Sequence, residues 1–108
     1  MSDNPIYALN EYGIPDYVLQ EILQTISNYE SITCAQIFGS RAKGNYKRYS
    51  DIDIAIFANT EKSLASDLKF DLEEIYMIYE VDVLHFEHTS NEEIKQHINR
   101  TGKTIFSR

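Results

Sequence analysis

The chain is poor in the features that mark secreted, membrane-spanning and nucleic-acid-coating proteins. It has a single cysteine, Cys34, in 108 residues. That excludes a disulfide framework and leads us to expect a reducing, cytoplasmic setting. No apolar run approaches the roughly 18 residues of a membrane span. Residues 1–10 lack a basic region followed by an apolar core, so a signal peptide is not expected. Repeats, low-complexity tracts and linkers are missing too. Positive charge is scarce: 10 Lys and Arg stand against 17 Asp and Glu, for a net charge of −7. Long nucleic-acid contacts need a basic face, and none is expected here. His85, His88 and His97 show no metal-ligand spacing with Cys34. Cys34 and the histidines read as packing or surface residues, and no Ser-His-Asp or Cys-His spacing suggests a nucleophile.

What is present is an ordinary globular mix, with 43% hydrophobic and 25% charged residues, enough for one small domain. A domain of this size buries little surface and gains from a partner subunit. The scarce positive charge is also uneven. Residues 39–50 hold Arg41, Lys43, Lys47 and Arg48 and no acid. A small basic loop on an acidic body suits a small polyanion, or it is simply a solvated loop.

Residues 1–14 read as a flexible lead-in and 15–108 as a single domain. Pro15 stands at the first turn of a helix whose apolar stripe is Val18, Ile22, Ile26 and Tyr29. Residues 32–38 read as a buried strand ended by Gly39, and Ser40 to Lys43 as a short turn stopped at Gly44. Residues 51–57 alternate with period 2, as a strand does. A helix follows over Leu64, Leu68, Leu72, Ile75 and Tyr76, then a strand over 79–86. Ser90 and Glu93 form a capping box for a last helix, which Gly102 ends. Residues 103–106 read as a short extended tail. The order α-β-(turn)-β-α-β-α predicts an α/β (α+β) fold, a small mixed three-stranded sheet flanked by helices.

Asp51 and Asp53 carry the most information. Two apart on a strand, they face the same side with Cα atoms about 6.5–7 Å apart, while Ile52, Ile54 and Ile56 take the other. Asp is disfavoured in strands, and adjacent carboxylates repel. A divalent cation removes that repulsion, and Mg²⁺ is commonly held by one or two carboxylates plus substrate phosphates. A solvated face of an edge strand is the plainer reading. Gly39-Ser40 lets backbone amides approach an anion, or merely ends a strand. Asp82, between Val81 and Val83, either joins Asp51 and Asp53 as a third ligand and proton acceptor or is an edge residue paired with a basic side chain.

Gly39-Ser40, ten residues, then Asp51-x-Asp53 resembles the signature of the DNA polymerase beta-type nucleotidyltransferase superfamily. The runs 38–44 (FGSRAKG) and 49–56 (YSDIDIAI) resemble its minimal nucleotidyltransferase (MNT) branch, as does the closing run 98–105 (INRTGKTI). The likeness spans about residues 15–106. It implies the nucleotidyltransferase fold and an in-line attack on the α-phosphorus of a nucleoside triphosphate. Asp51, Asp53 and Asp82 would be the catalytic carboxylates and the Mg²⁺ ligands, for one ion or two. Gly39, Ser40, Arg41, Lys43 and Ser50 would bind the phosphates of ATP. The resemblance also implies a small helical HEPN-type partner, whose hydroxyl would receive AMP in a toxin–antitoxin pair. The chain is expected to form a hetero-oligomer with it, or to pair with itself when alone. Two alternatives stay open: an antitoxin that binds or occludes its partner without chemistry, and transfer to a small molecule of the aminoglycoside type.

Overall fold

The computed structural model describes residues 9–75 and 77–108. Helix α1, Asp16–Ser27, starts one residue after Pro15, whose extended backbone (φ −64°, ψ 147°) sets the chain's entry. Pro15 thus stands just outside the first turn rather than in it. Val18, Ile22 and Ile26 recur every fourth residue and are fully buried, as an amphipathic stripe must be.

The lead-in expected over residues 1–14 is only partly testable, because residues 1–8 lie outside the described residues. Residues 12–14 are buried. Ile14 is fully buried and Tyr12 nearly so. The Asn10 side chain accepts hydrogen bonds from the Tyr12 and Ile14 amides at 2.9 and 3.3 Å. That local bonding holds a tight turn which the sequence reads only as loop composition.

Strands β1 (Ile32–Phe38), β2 (Ile52–Ala58) and β3 (Val81–His85) form where β-formers were expected. Between them lie the one-turn α2, Ser40–Lys43, and α3, Ala65–Leu72. Helix α3 stops short of Ile75, and Tyr76 lies outside the described residues. A 3₁₀ turn at Phe86–His88 leads to α4, Glu92–Thr101. Its cap is Asn91, whose side chain accepts the Ile94 amide, so the capping box expected from Ser90 is displaced by one residue. Glu92 and Glu93 fill the first turn, where negative charge complements the helix dipole.

The sheet has four strands in the order β3-β2-β1-β4, one more than expected. The tail Lys103–Ser107 is β4, antiparallel to β1 through pairs such as Ala35 with Phe106. Pairing satisfies the polar backbone groups along an otherwise open edge of β1. β1 and β2 are antiparallel, whereas β2 and β3 are parallel and joined through α3. The sheet is therefore mixed, as expected. One face buries Ile37, Ile52, Ile54 and Ile56 with Leu68 and Leu72 and the stripe of α1. α4 packs against β1 and buries Ile98, leaving the carboxylate end of the sheet open.

Candidate active site

The β2–β3 register brings the acidic residues together. Asp53 is the Cα partner of Asp82 on one side and of Phe38 on the other. Residues in register on neighbouring strands point to the same face, so Asp53 and Asp82 project away from the isoleucine core. Asp51 lies just before β2 and is exposed, while Asp53 is half-buried. Burial, then the charges of Asp82 and Asp51, raise the Asp53 carboxyl from 3.8 to about 6. That shift records the carboxylate crowding. Among the described residues, no ion pair engages Asp51 or Asp53. Uncompensated carboxylates with oxygen donors only are a fitting, incomplete set for Mg²⁺, whose remaining positions phosphate and water would fill.

Asp82 behaves differently. Its Oδ1 lies 3.0 Å from Lys69 Nζ of α3. Among the described residues, no group of three or more His, Cys, Asp and Glu side chains is arranged to hold a metal ion. Asp82 stands on the right face but is turned to a cation of the chain's own.

Gly39 follows Phe38 at the end of β1, with φ 74° and ψ −152°. A methyl group there would meet Asp53 Oδ2 at 2.7 Å. Glycine is required both by the backbone conformation and by the approach of the carboxylate. α2 begins at the next residue, closed by the Lys43 amide on the Gly39 carbonyl at 3.1 Å and the Gly44 amide on the Ser40 carbonyl at 2.9 Å. Gly44, at φ 91°, ends it. The amides that open a helical turn have no partner within it. Ser40 is half-buried beside them and Lys43 is exposed.

The structure corrects the reading of Arg41. Its side chain is buried, with 1% exposure, and all five of its N–H donors are engaged. Nε and one terminal nitrogen donate to the Ser50 carbonyl at 3.0 and 2.9 Å, and that nitrogen also reaches the Arg48 carbonyl at 3.2 Å. The other terminal nitrogen donates to Tyr12 and Gly13 at 2.9 and 3.2 Å. The guanidinium also lies over the Tyr46 and Tyr79 rings, 5.1 and 4.8 Å from their centroids. An arginine with no donor left does not hold phosphate through its side chain. Arg41 instead ties the basic loop to residues 12–13. Burial lowers its pKa from the usual value, and the guanidinium nevertheless stays charged.

Ser50 shares that structural work. Its Oγ accepts the Lys47 amide at 2.8 Å, and its carbonyl takes two bonds from Arg41. Only its hydroxyl proton is left to offer an anion. Of the five residues expected at the phosphates, Arg41 and Ser50 are thus the two whose side chains the chain's own backbone engages.

Lys69, Tyr46 and Tyr79 were missed by the sequence reading. None carries a local signal, because each meets its partner through the tertiary fold. The histidines and cysteine hold no surprise. His85 accepts the Leu64 amide at Nδ1 and lies 2.8 Å from the Ala58 carbonyl at Nε2. It is therefore a neutral packing group with its proton on Nε2. Cys34 is free and half-buried in β1.

The family model for the polymerase beta nucleotidyltransferase domain matches residues 20–108. The chain belongs to that family and is a nucleotidyltransferase. Its fold is that of MNT antitoxins solved with HEPN toxins. A toxin–antitoxin structure with AMP-PNP is similar over 93% of this chain and 75% of that chain, at 24% identity and a TM-score of 0.62. The MNT antitoxin in complex with the tri-AMPylated HEPN toxin of Shewanella oneidensis is similar over 86% and 72%, at 20% identity and a TM-score of 0.59. An MntA–HepT toxin–antitoxin structure is similar over 86% and 73%, at 20% identity and a TM-score of 0.58. A search of curated proteins gives no match to the sequence.

Proposed function

We propose that this chain transfers AMP from ATP to a hydroxyl of a small helical HEPN-type partner and so acts as the antitoxin of that pair. Asp51 and Asp53 carry the proposal: among the described residues no ion pair engages either carboxylate, and Asp53 lies against Gly39. Family membership supports the chemistry, and the tri-AMPylated HEPN toxin bound to a similarly folded antitoxin supports the acceptor.

Asp51 and Asp53 would hold Mg²⁺, which neutralises charge on the triphosphate when bound. The first amides of α2, with the Ser40 hydroxyl and Lys43, would hold the terminal phosphates. The acceptor hydroxyl attacks the α-phosphorus as its bond to the bridging oxygen breaks. Pyrophosphate leaves, and the hydroxyl proton passes to Asp82. Catalysis rests on positioning and on fixed charge rather than on a covalent intermediate. Asp51 and Asp82 lie exposed on an open face, which suits a site whose acceptor half comes from another protein.

The test is to incubate the chain, its partner, Mg²⁺ and α-labelled ATP. Label on the partner, lost in Asp51→Asn/Asp53→Asn, is expected. An unlabelled partner that remains fully inhibited by the double variant would overturn the proposal in favour of occlusion without chemistry. Label on a small hydroxylated acceptor but not on the protein would overturn the choice of acceptor.

A further inference from the structure

We infer that Phe38 and His97 form the nucleobase end of the donor site, with the base stacked on the Phe38 ring and its edge hydrogen-bonded to the His97 imidazole. The inference deepens the proposed function and rests on its assignment of the phosphates to Gly39-Ser40 and of the cation to Asp51 and Asp53.

Three observations carry it. Phe38 is the Cα partner of Asp53, so its ring stands on the carboxylate face, one residue before Gly39. It is only half-buried, and a stacked base would cover the apolar surface it leaves open. Helix α4 crosses the same face. Lys95 Nζ lies 5.1 Å from the ring centroid of Phe86, which stacks at 4.7 Å on Phe57 of β2, a residue that shares the strand face of Asp53. Two residues beyond Lys95, His97 sets its ring 6.3 Å from that of Phe38, at 82°. Among the described residues, ring hydrogen bonds engage His85 and His88 but not His97. An imidazole with both nitrogens uncommitted can donate to or accept from a base edge. The same ring lines a groove of about 390 Å³ with Ile94, Gln96 and Arg100, a volume usual for small-ligand sites.

The line of reaction sets the direction. In-line attack puts the acceptor at Asp82, the α-phosphorus at the cation and pyrophosphate toward Gly39-Ser40, a path that runs across the strands. The nucleoside has to branch away from that path. Along the strands, toward α4, it meets one apolar ring and one hydrogen-bonding ring. Apolar surface with a few polar groups is how small-molecule sites hold and orient a ligand.

The test is calorimetry of the full chain with Mg²⁺ and two probes, α,β-methylene-ATP and inorganic tripolyphosphate. Phe38→Leu and His97→Ala are each expected to weaken the ATP analogue about tenfold or more. Tripolyphosphate should stay within about twofold, since its place at α2 is untouched. Phe38→Tyr keeps the stacking ring and His97→Gln keeps a donor and an acceptor, so both should restore most of the affinity for the analogue. His97 is half-exposed on a helix, so His97→Ala decides the matter should circular dichroism find Phe38→Leu unfolded. Analogue affinity retained in a folded Phe38→Leu or in His97→Ala overturns this inference alone, as does an equal loss for both probes. No Mg²⁺-dependent binding of either probe by wild type overturns the proposed function with it.

Discussion

Arg41 offers the sharpest test of how this site is built. Replacing it with methionine keeps much of the volume and removes every donor. Four carbonyls, those of Tyr12, Gly13, Arg48 and Ser50, then lose their partner. Hydrogen bonds to a charged group contribute about 1.5–3 kcal/mol each in isolation. They do not add here, because the loops can relax toward water and the buried charge is removed with them. Disrupting a buried charged network typically costs about 3–5 kcal/mol. A domain of this size has only about 5–15 kcal/mol in total, so a fall in Tm of about 15–20 °C is expected. Arg41→Lys keeps the charge but has three donors in place of a five-donor fork. It should fall between, at about 2–3 kcal/mol. Urea denaturation with matched Tm measurements reads both values. Stability within about 1 kcal/mol of wild type, together with a hundredfold loss of triphosphate affinity, would refute the structural role. It would return Arg41 to the phosphates.

Other expectations follow from single features. Gly39→Ala places a methyl against Asp53 Oδ2 at a positive φ; it should cost about 1–2 kcal/mol and weaken nucleotide binding at least tenfold by calorimetry. Asp53 has a folded pKa of about 6 against 3.8 unfolded, so the native state holds the extra proton between about pH 4 and 6 and loses stability as pH rises through that window. The full shift is worth about 3 kcal/mol, which solvent screening of the half-exposed carboxyl reduces to about 1 kcal/mol. Metal-free Asp53→Asn should therefore be more stable than wild type at pH 7.5 by about that much and equal to it near pH 4, while AMP transfer is abolished; an unchanged difference across this range would contradict the crowding of the carboxylates. Asn91→Ala should cost about 1 kcal/mol as a lost helix cap, and Ser90→Ala less than about 0.5 kcal/mol, as chemical denaturation can compare.

Much of the fold was legible because local pattern decides it. Val18, Ile22 and Ile26 had to share a helix face, and Ile52, Ile54 and Ile56 a strand face, whatever they packed against. The same parity put Asp51 and Asp53 opposite the core. The spacing of that pair from Gly39-Ser40 was informative only through its likeness to a family signature, and it is the pairing of Phe38 with Asp53 that sets the carboxylate beside the glycine. The tail 103–106 was read as extended but not as a strand, since pairing is a property of two segments and its partner β1 lies more than sixty residues away.

The opening feature of the sequence, its shortage of positive charge, shows where local reading stops. The sequence by itself determined that Arg41 and Lys43 sit in a short basic loop, and that Asp82 occupies a strand. Only the tertiary structure decided what each charge meets. It turned Arg41 inward onto the carbonyls of residues 12–13 and 48–50, leaving Lys43 outside. It set Lys69, thirteen residues upstream on α3, against Asp82. The physical reason is range. Period and capping act within one or two turns, whereas an ion pair or a buried guanidinium is fixed by which elements the core brings together.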